Sequence, residues 1–155
     1  MVTLEYAKYQ IVTPALKRIG LASPEAINLV TGIGLVESGY RTRKQVNGPA
    51  LGFWQMEPAT ERDCWVNFLY YRPLLAGLVR KIADPDVPSS STLLTNDAYA
   101  AAMCRIRLYR SPDPLPSADC ALALCRTWKS GYNTSAGKGQ VDQSHINLFQ
   151  QAIDA

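Results

Sequence analysis

The sequence predicts a mainly α-helical domain. Two observations carry that expectation: apolar residues recur at steps of three and four along most of the chain, and helix-start signals precede several of those stretches. The segments between them are short and punctuated by proline and glycine. At 155 residues the chain is expected to be one domain, 1–155, long enough to enclose a core.

From the N-terminus, an amphipathic helix is expected from Leu4 to Ile19, stopping near Gly20. Ser23 and Pro24 form a start signal, N-cap and first helical position, for a helix running to Glu37 or Ser38. Gly39 then suits a left-handed C-terminal cap. From Tyr40 to Pro58 no helical period is present, and Gly48, Pro49 and Gly52 point to a loop, with room for a small β-hairpin around 40–55.

Pro58 can open a helix through Cys64, Trp65 and Phe68-Leu69, with a break before Pro73. Leu74 to Ile82 reads as another short helix. Asp84 to Pro88 and the three serines after it read as a surface loop. Asn96 or Asp97 caps a helix through Tyr99, Met103 and Ile106. Ser111 to Ser117 is a second proline-rich loop, Ala118 to Ser130 a helix, Gly131 to Gly139 a loop. Ile146, Phe149 and Ile153 mark the last helix. Both proline-rich loops are short enough to be connections inside one domain.

Composition narrows the function classes. Hydrophobic residues make up 47% and charged residues 19%, as in globular proteins rather than disordered ones. No apolar stretch reaches the ~18 residues that span a bilayer, so membrane insertion is not expected. The N-terminus lacks the basic start and apolar run of a signal peptide. A net charge of +3 suits approach to an anionic surface. The basic residues are spread over several segments and interleaved with thirteen acids, so nucleic acid is not an expected partner. The four cysteines, Cys64, Cys104, Cys120 and Cys125, lack the tight pairs of a zinc site, and His145 is the single histidine. No metal is expected, and the cysteines read as small buried apolar residues, their pairing open.

Chemistry concentrates on one carboxyl. Ala26, Val30 and Ile33 recur at steps of four and three, and the next step of four lands on Glu37. The apolar stripe thus continues into a carboxylate, in a last helical turn where the helix dipole disfavours negative charge. Both effects push its pKa upward, as a glutamic acid that donates a proton near neutral pH requires. The competing reading is a partly exposed glutamate at a fraying helix end.

Three motifs give that carboxyl a context. Glu37-Ser38-Gly39-Tyr40 is followed by Gly52-Phe53-Trp54-Gln55-Met56-Glu57-Pro58, and later by Trp128-Lys129-Ser130-Gly131-Tyr132-Asn133. The set, over about residues 24–140, resembles the soluble lytic transglycosylases and the goose-type lysozymes. Those proteins carry a Glu-Ser pair at a helix end, a Gly-x-x-Gln turn before a proline, and a Tyr-Asn near the C-terminus. The resemblance implies a lysozyme-like helical domain acting on bacterial peptidoglycan without a cofactor. It makes Glu37 the catalytic acid and then the base, with Ser38 beside it assisting position or substrate hydrogen bonding. Gly52 would let the glycan approach the backbone, Gln55 would hydrogen-bond near the scissile sugar, and Tyr132 with Asn133 would steady Glu37 or the acetamido group. Gln55 and Asn133 could instead satisfy loop backbone, and Tyr132 could be core.

The chain departs from that pattern in places. Phe53-Trp54 replaces a smaller aliphatic pair, and the rings either form a stacking wall for a sugar or pack inward. Glycine precedes Tyr132-Asn133 and Thr134-Ser135 comes after it. The implied reaction is substrate-assisted cleavage of the MurNAc-β-1,4-GlcNAc bond, closing a 1,6-anhydro ring with a single carboxyl. Glu57 is a candidate second acid. Facing the cleft it could orient a water and turn the reaction into hydrolysis, and otherwise it caps the helix that Pro58 opens. Arg41, Arg43 and Lys44, and Arg105, Arg107 and Arg110, could meet substrate carboxylates or form a solvated face.

A wall-degrading chain without a signal peptide suggests a bacteriophage enzyme. It would be a virion-associated lysin accompanied by other virion or tail proteins, or an endolysin that waits in the host cytoplasm before acting on the wall. An inactive structural virion protein of the same fold is the alternative from another class.

Overall fold

A computed structural model of the chain describes residues 1–83, 89–133 and 137–155. The expected loop at Asp84–Pro88 lies outside them, as does the Thr134-Ser135 pair. The chain is mainly helical, as its periodicity predicts.

The N-terminal rod is continuous but not uniform. Helix α1 (Leu4–Tyr6) runs into a wider π-helical segment, Ala7–Val12, and then into α2 (Thr13–Arg18). Pro14 sits inside this rod, lacking an N–H and pressing its ring toward the preceding turn. The wider turn accommodates it: the Thr13 N–H reaches back five residues to the Lys8 carbonyl, and Thr13 Oγ1 donates to the same oxygen at 2.7 Å. Ala7, Ile11, Val12, Ala15 and Leu16 form the buried stripe.

Helix α3 (Pro24–Ser38) is the axis of the core. Ser23 Oγ accepts from the Ala26 N–H at 3.1 Å, and Gly39, at φ 62°, closes the other end with its N–H on the Leu35 carbonyl. Ala26, Leu29, Val30 and Ile33 are wholly buried. Two of its glycines are contact points. A side chain at Gly32 would collide with the Phe149 ring, and one at Gly34 with the Tyr40 hydroxyl. The helix can therefore be approached closely on two sides.

The stretch after α3 is held by single antiparallel bridges, Lys44 to Leu51 and Leu51 to Met56. The expected hairpin is reduced to these contacts, and no strand forms among the described residues, because Gly48-Pro49 and Gly52 interrupt any longer ladder. Helix α4 (Pro58–Asn67) comes next, then a 3₁₀ turn at Leu69–Tyr71 and α5 (Pro73–Ile82). The break falls before Pro73, as expected, with Arg72 in an extended-side conformation that a succeeding proline favours.

After α6 (Thr92–Thr95), Asn96 starts α7 (Asp97–Tyr109) by accepting the Tyr99 N–H at 3.0 Å. Helix α8 spans Ala121–Trp128, starting three residues later than the sequence suggests. It does not end at Ser130. A π-helical turn, Lys129–Asn133, carries it through Gly131, so residues 131–133 are helical rather than the start of a loop. Tyr132, within this turn, is buried in the core. Asp142 starts α9 (Gln143–Asp154), which packs on α3 and α8. Lys8 Nζ donates to the Ala152 and Ala155 carbonyls at 2.8 and 3.0 Å, tying the first and last helices together.

The core is one contiguous cluster from Ala7 to Phe149, drawing on every long helix. Cys64, Cys104 and Cys125 are buried within the fold, Cys120 is exposed, and none is paired.

Candidate active site

Glu37 stands where its helical register puts it. Ala26, Val30 and Ile33 are buried in the core, and the stripe then meets a groove in which the Glu37 carboxyl is half-buried. Burial raises its pKa above the ordinary 4.5, the dominant effect. A hydrogen bond from Trp128 Nε1 to Glu37 Oε1 at 2.9 Å opposes this, as do the nearby Arg107 and His145. Among the described residues no donor reaches the second oxygen, Oε2. One N–H on one oxygen compensates little of a carboxylate's lost hydration, which is why desolvation prevails.

The groove has a volume of about 700 Å³. Its walls bring together Glu37, Gln55, Tyr132 and Asn133 from three separate segments of the chain, with Glu57 at its edge. Gln55 is held at φ 50°, a left-handed conformation uncommon for a residue with a side chain. It closes the turn that begins at Gly52, its N–H on the Gly52 carbonyl at 3.0 Å and its Nε2 on the same oxygen at 2.9 Å. The side chain is thus pinned at the groove rather than swept over it.

Other expected binding residues serve the wall from behind. Phe53 and Trp54 are wholly buried and pack edge-on against Tyr40, with ring centroids 5.4 and 5.8 Å from it. Of the two readings of these rings, inward packing is the one realised. Trp54 Nε1 donates to the Val30 carbonyl at 2.8 Å and the Tyr40 hydroxyl to the Thr31 carbonyl at 2.7 Å, fastening the loop onto α3. Gly52 likewise does not face the groove. It sits at φ 78° against the Leu93 carbonyl, where a Cβ would collide, so glycine is required by the chain's own packing. Ser38 Oγ donates to the Gly34 carbonyl and accepts the Tyr40 N–H, both at 3.1 Å, shaping the helix end without lining the groove.

Tyr132 takes a different partner from the one expected. Its hydroxyl donates to the Trp54 carbonyl at 2.6 Å and so braces the loop, while Trp128 steadies Glu37. Asn133 Oδ1 accepts from Lys129 Nζ at 2.9 Å, and Lys129 also donates to the Gly137 carbonyl at 3.0 Å. Glu57 occupies the N-cap position of α4, yet its side chain makes no capping bond and is exposed along the groove.

No protein-family model matches the chain, and no match was found among curated proteins or solved structures. The functional reading therefore rests on the sequence motifs and the geometry of the site.

The basic residues sort cleanly by partner. Arg43 forms a two-pronged pair with Asp97 at 2.8 and 2.9 Å, Arg110 pairs with Asp63 at 2.7 Å, and Arg105 is buried against the Leu21 carbonyl. Of the six singled out by sequence, Arg107 alone lines the groove, its guanidinium 4.8 Å from the centre of the Tyr132 ring. Lys138, from the C-terminal segment, joins it. No group of three or more potential metal-binding side chains occurs among the described residues.

Sequence reasoning missed the roles of Trp128 and His145. The signal for Trp128 was available in its spacing: it stands four residues before Tyr132, so a helix through both puts them on related faces. His145 gave no such signal, since nothing in its neighbourhood predicts a partner in α8.

Proposed function

We propose that this chain cleaves peptidoglycan glycan strands at the MurNAc-β-1,4-GlcNAc bond, as a lytic transglycosylase with Glu37 as its single catalytic carboxyl. The observation that carries the reading is a half-buried carboxyl of raised pKa on the wall of a groove of about 700 Å³, a size suited to sugar rings, with Gln55 and Asn133 alongside. The Glu-Ser, Gly-x-x-Gln and Tyr-Asn motifs supply the substrate class.

The protonated Glu37 gives its proton to the glycosidic oxygen as the bond to the muramyl anomeric carbon breaks. The substrate's acetamido oxygen shares the positive charge that develops there. The Glu37 carboxylate then removes the proton from the muramyl 6-hydroxyl, and that oxygen closes onto the anomeric carbon. The proton count balances and no water is consumed. A carboxyl that serves as acid and then base works best with a pKa near the working pH, and burial, only partly offset by Trp128, Arg107 and His145, moves Glu37 in that direction. Arg107 and Lys138 give the groove positive charge suited to the lactyl and stem-peptide carboxylates of such a substrate.

A hydrolytic second reading draws on Glu57, an exposed carboxylate on the same groove with no helix-capping bond. It would activate a water against the anomeric carbon. Mass spectrometry of muropeptides after digestion of purified cell wall separates the two. Anhydro-muramyl ends support the transglycosylase, reducing ends support the hydrolase, and intact glycan rejects both.

A further inference from the structure

Trp128 has one hydrogen-bond donor, and it is committed to Glu37 Oε1. The indole is almost wholly buried, so the groups packed on it hold the plane that aims the N–H. Three contacts do so. The His145 ring lies stacked on Trp128, centroids 5.3 Å apart and planes 22° from parallel. Phe149 leans on it at 6.2 Å, and Gly139 leaves no space for a side chain beside its outer edge. His145 is itself fixed: its Nδ1 lies 2.7 Å from Asp142 Oδ1. Asp142 also accepts the His145 backbone N–H and the Ser144 hydroxyl, and these bonds hold its pKa down at about 2. An ionised Asp142 fixes the imidazole tautomer with its proton on Nδ1.

We propose that His145 is a positioning residue for Glu37 that acts through Trp128, and that the resulting geometry reserves Glu37 Oε2 for proton transfer. The proposal rests on the catalytic reading of Glu37. Oε1 accepts the indole N–H, a role that the carbonyl oxygen of a carboxylic acid fills better than its hydroxyl, so the acid carries its hydrogen on Oε2. The groups facing this carboxyl from the packed elements are Arg107 and Cys104 on α7, Trp128 and the nearby Tyr132, and His145 on α9, with Lys138 and Glu57 along the same groove. The Nδ1 bond to Asp142 survives protonation of the imidazole, because it uses the proton present in both states. The stack therefore holds the indole whether His145 is charged or not.

The test uses the ¹H–¹⁵N resonance of the Trp128 indole across a pH titration, together with steady-state kinetics on purified wall. In the wild-type protein this resonance moves with Glu37 ionisation, and the movement disappears in Glu37→Gln. His145→Ala takes the stacked ring off one face of the indole and lets it tilt: the indole shift loses its link to Glu37, and kcat falls about 10- to 100-fold, the range expected for losing a hydrogen bond to a charged group, with KM little changed. His145→Phe keeps a flat ring on Trp128 without a titrating proton and restores both readouts. The proposal is overturned if the indole signal in His145→Ala still tracks Glu37, or if His145→Phe is as impaired as His145→Ala. Absence of glycan products from the wild type defeats the catalytic reading instead, while the indole titration still decides the positioning.

Discussion

Replacing Glu37 by glutamine should stabilise the protein at neutral pH while abolishing glycan release. The side chains are nearly isosteric, and the amide oxygen can still accept the Trp128 N–H. The difference lies in charge. Burial raises the folded-state pKa of Glu37 above 4.5, so between that value and the folded pKa the folded chain holds a proton that the unfolded chain has released. Folding stability therefore falls as pH rises through this window, and above it the full cost of the enclosed carboxylate is present. A tenfold difference in proton affinity between the folded and unfolded chains corresponds to about 1.4 kcal/mol. Glutamine does not titrate and escapes that cost. For a domain of this size, 1.4 kcal/mol corresponds to roughly 3–6 °C in Tm. Urea unfolding of both proteins at intervals from pH 4 to pH 8 measures it. The stability of Glu37→Gln relative to wild type should rise from pH 4 and level off, with other titrating groups cancelling between the two curves. A flat difference, or one that falls with pH, would refute the desolvation argument, because it would mean that Trp128, Arg107 and His145 outweigh burial.

The surrounding contacts set further outcomes. Gly52→Ala should lose about 2–4 kcal/mol in urea unfolding, combining a left-handed backbone with a clash at the Leu93 carbonyl. Tyr132→Phe should cost about 1–3 kcal/mol by leaving the buried Trp54 carbonyl without its donor. Its pH–rate profile should stay in place, since the hydroxyl does not touch Glu37, and a displaced profile would contradict that geometry. Glu57→Gln should leave anhydro-muropeptide yield unchanged if the chain is a transglycosylase. Loss of all product in that variant would favour the hydrolytic reading.

Helix α3 was readable from sequence at both ends and along its face. Ser23-Pro24 and Gly39 satisfy orphan backbone groups locally, and the stripe ending in Glu37 depends only on helical periodicity. The interactions that complete the site are of another kind. The bond between Trp128 and Glu37 joins residues 91 apart in the chain, and that between Tyr132 and Trp54 joins residues 78 apart. No local pattern encodes such pairings. Phe53 and Trp54 illustrate the same limit. Their segment has no period to assign faces, so either orientation satisfied the sequence, and only packing against Tyr40 and α3 decides it. The π-helical turn at Lys129–Asn133 was hidden because glycine at 131 reads as a breaker, although a helix tolerates one glycine at a cost of about 1 kcal/mol.

The twin anchors of Tyr40 and Trp54 on adjacent carbonyls of α3 have a mechanical consequence. Gln55 and Glu37 belong to one stiff jaw, clamped by buried bonds to Thr31 and Val30, and their separation is preset by the fold itself. In hydrogen exchange the backbone amides of Gln55 and Met56, though outside regular structure, should open no faster than those in the middle of α3.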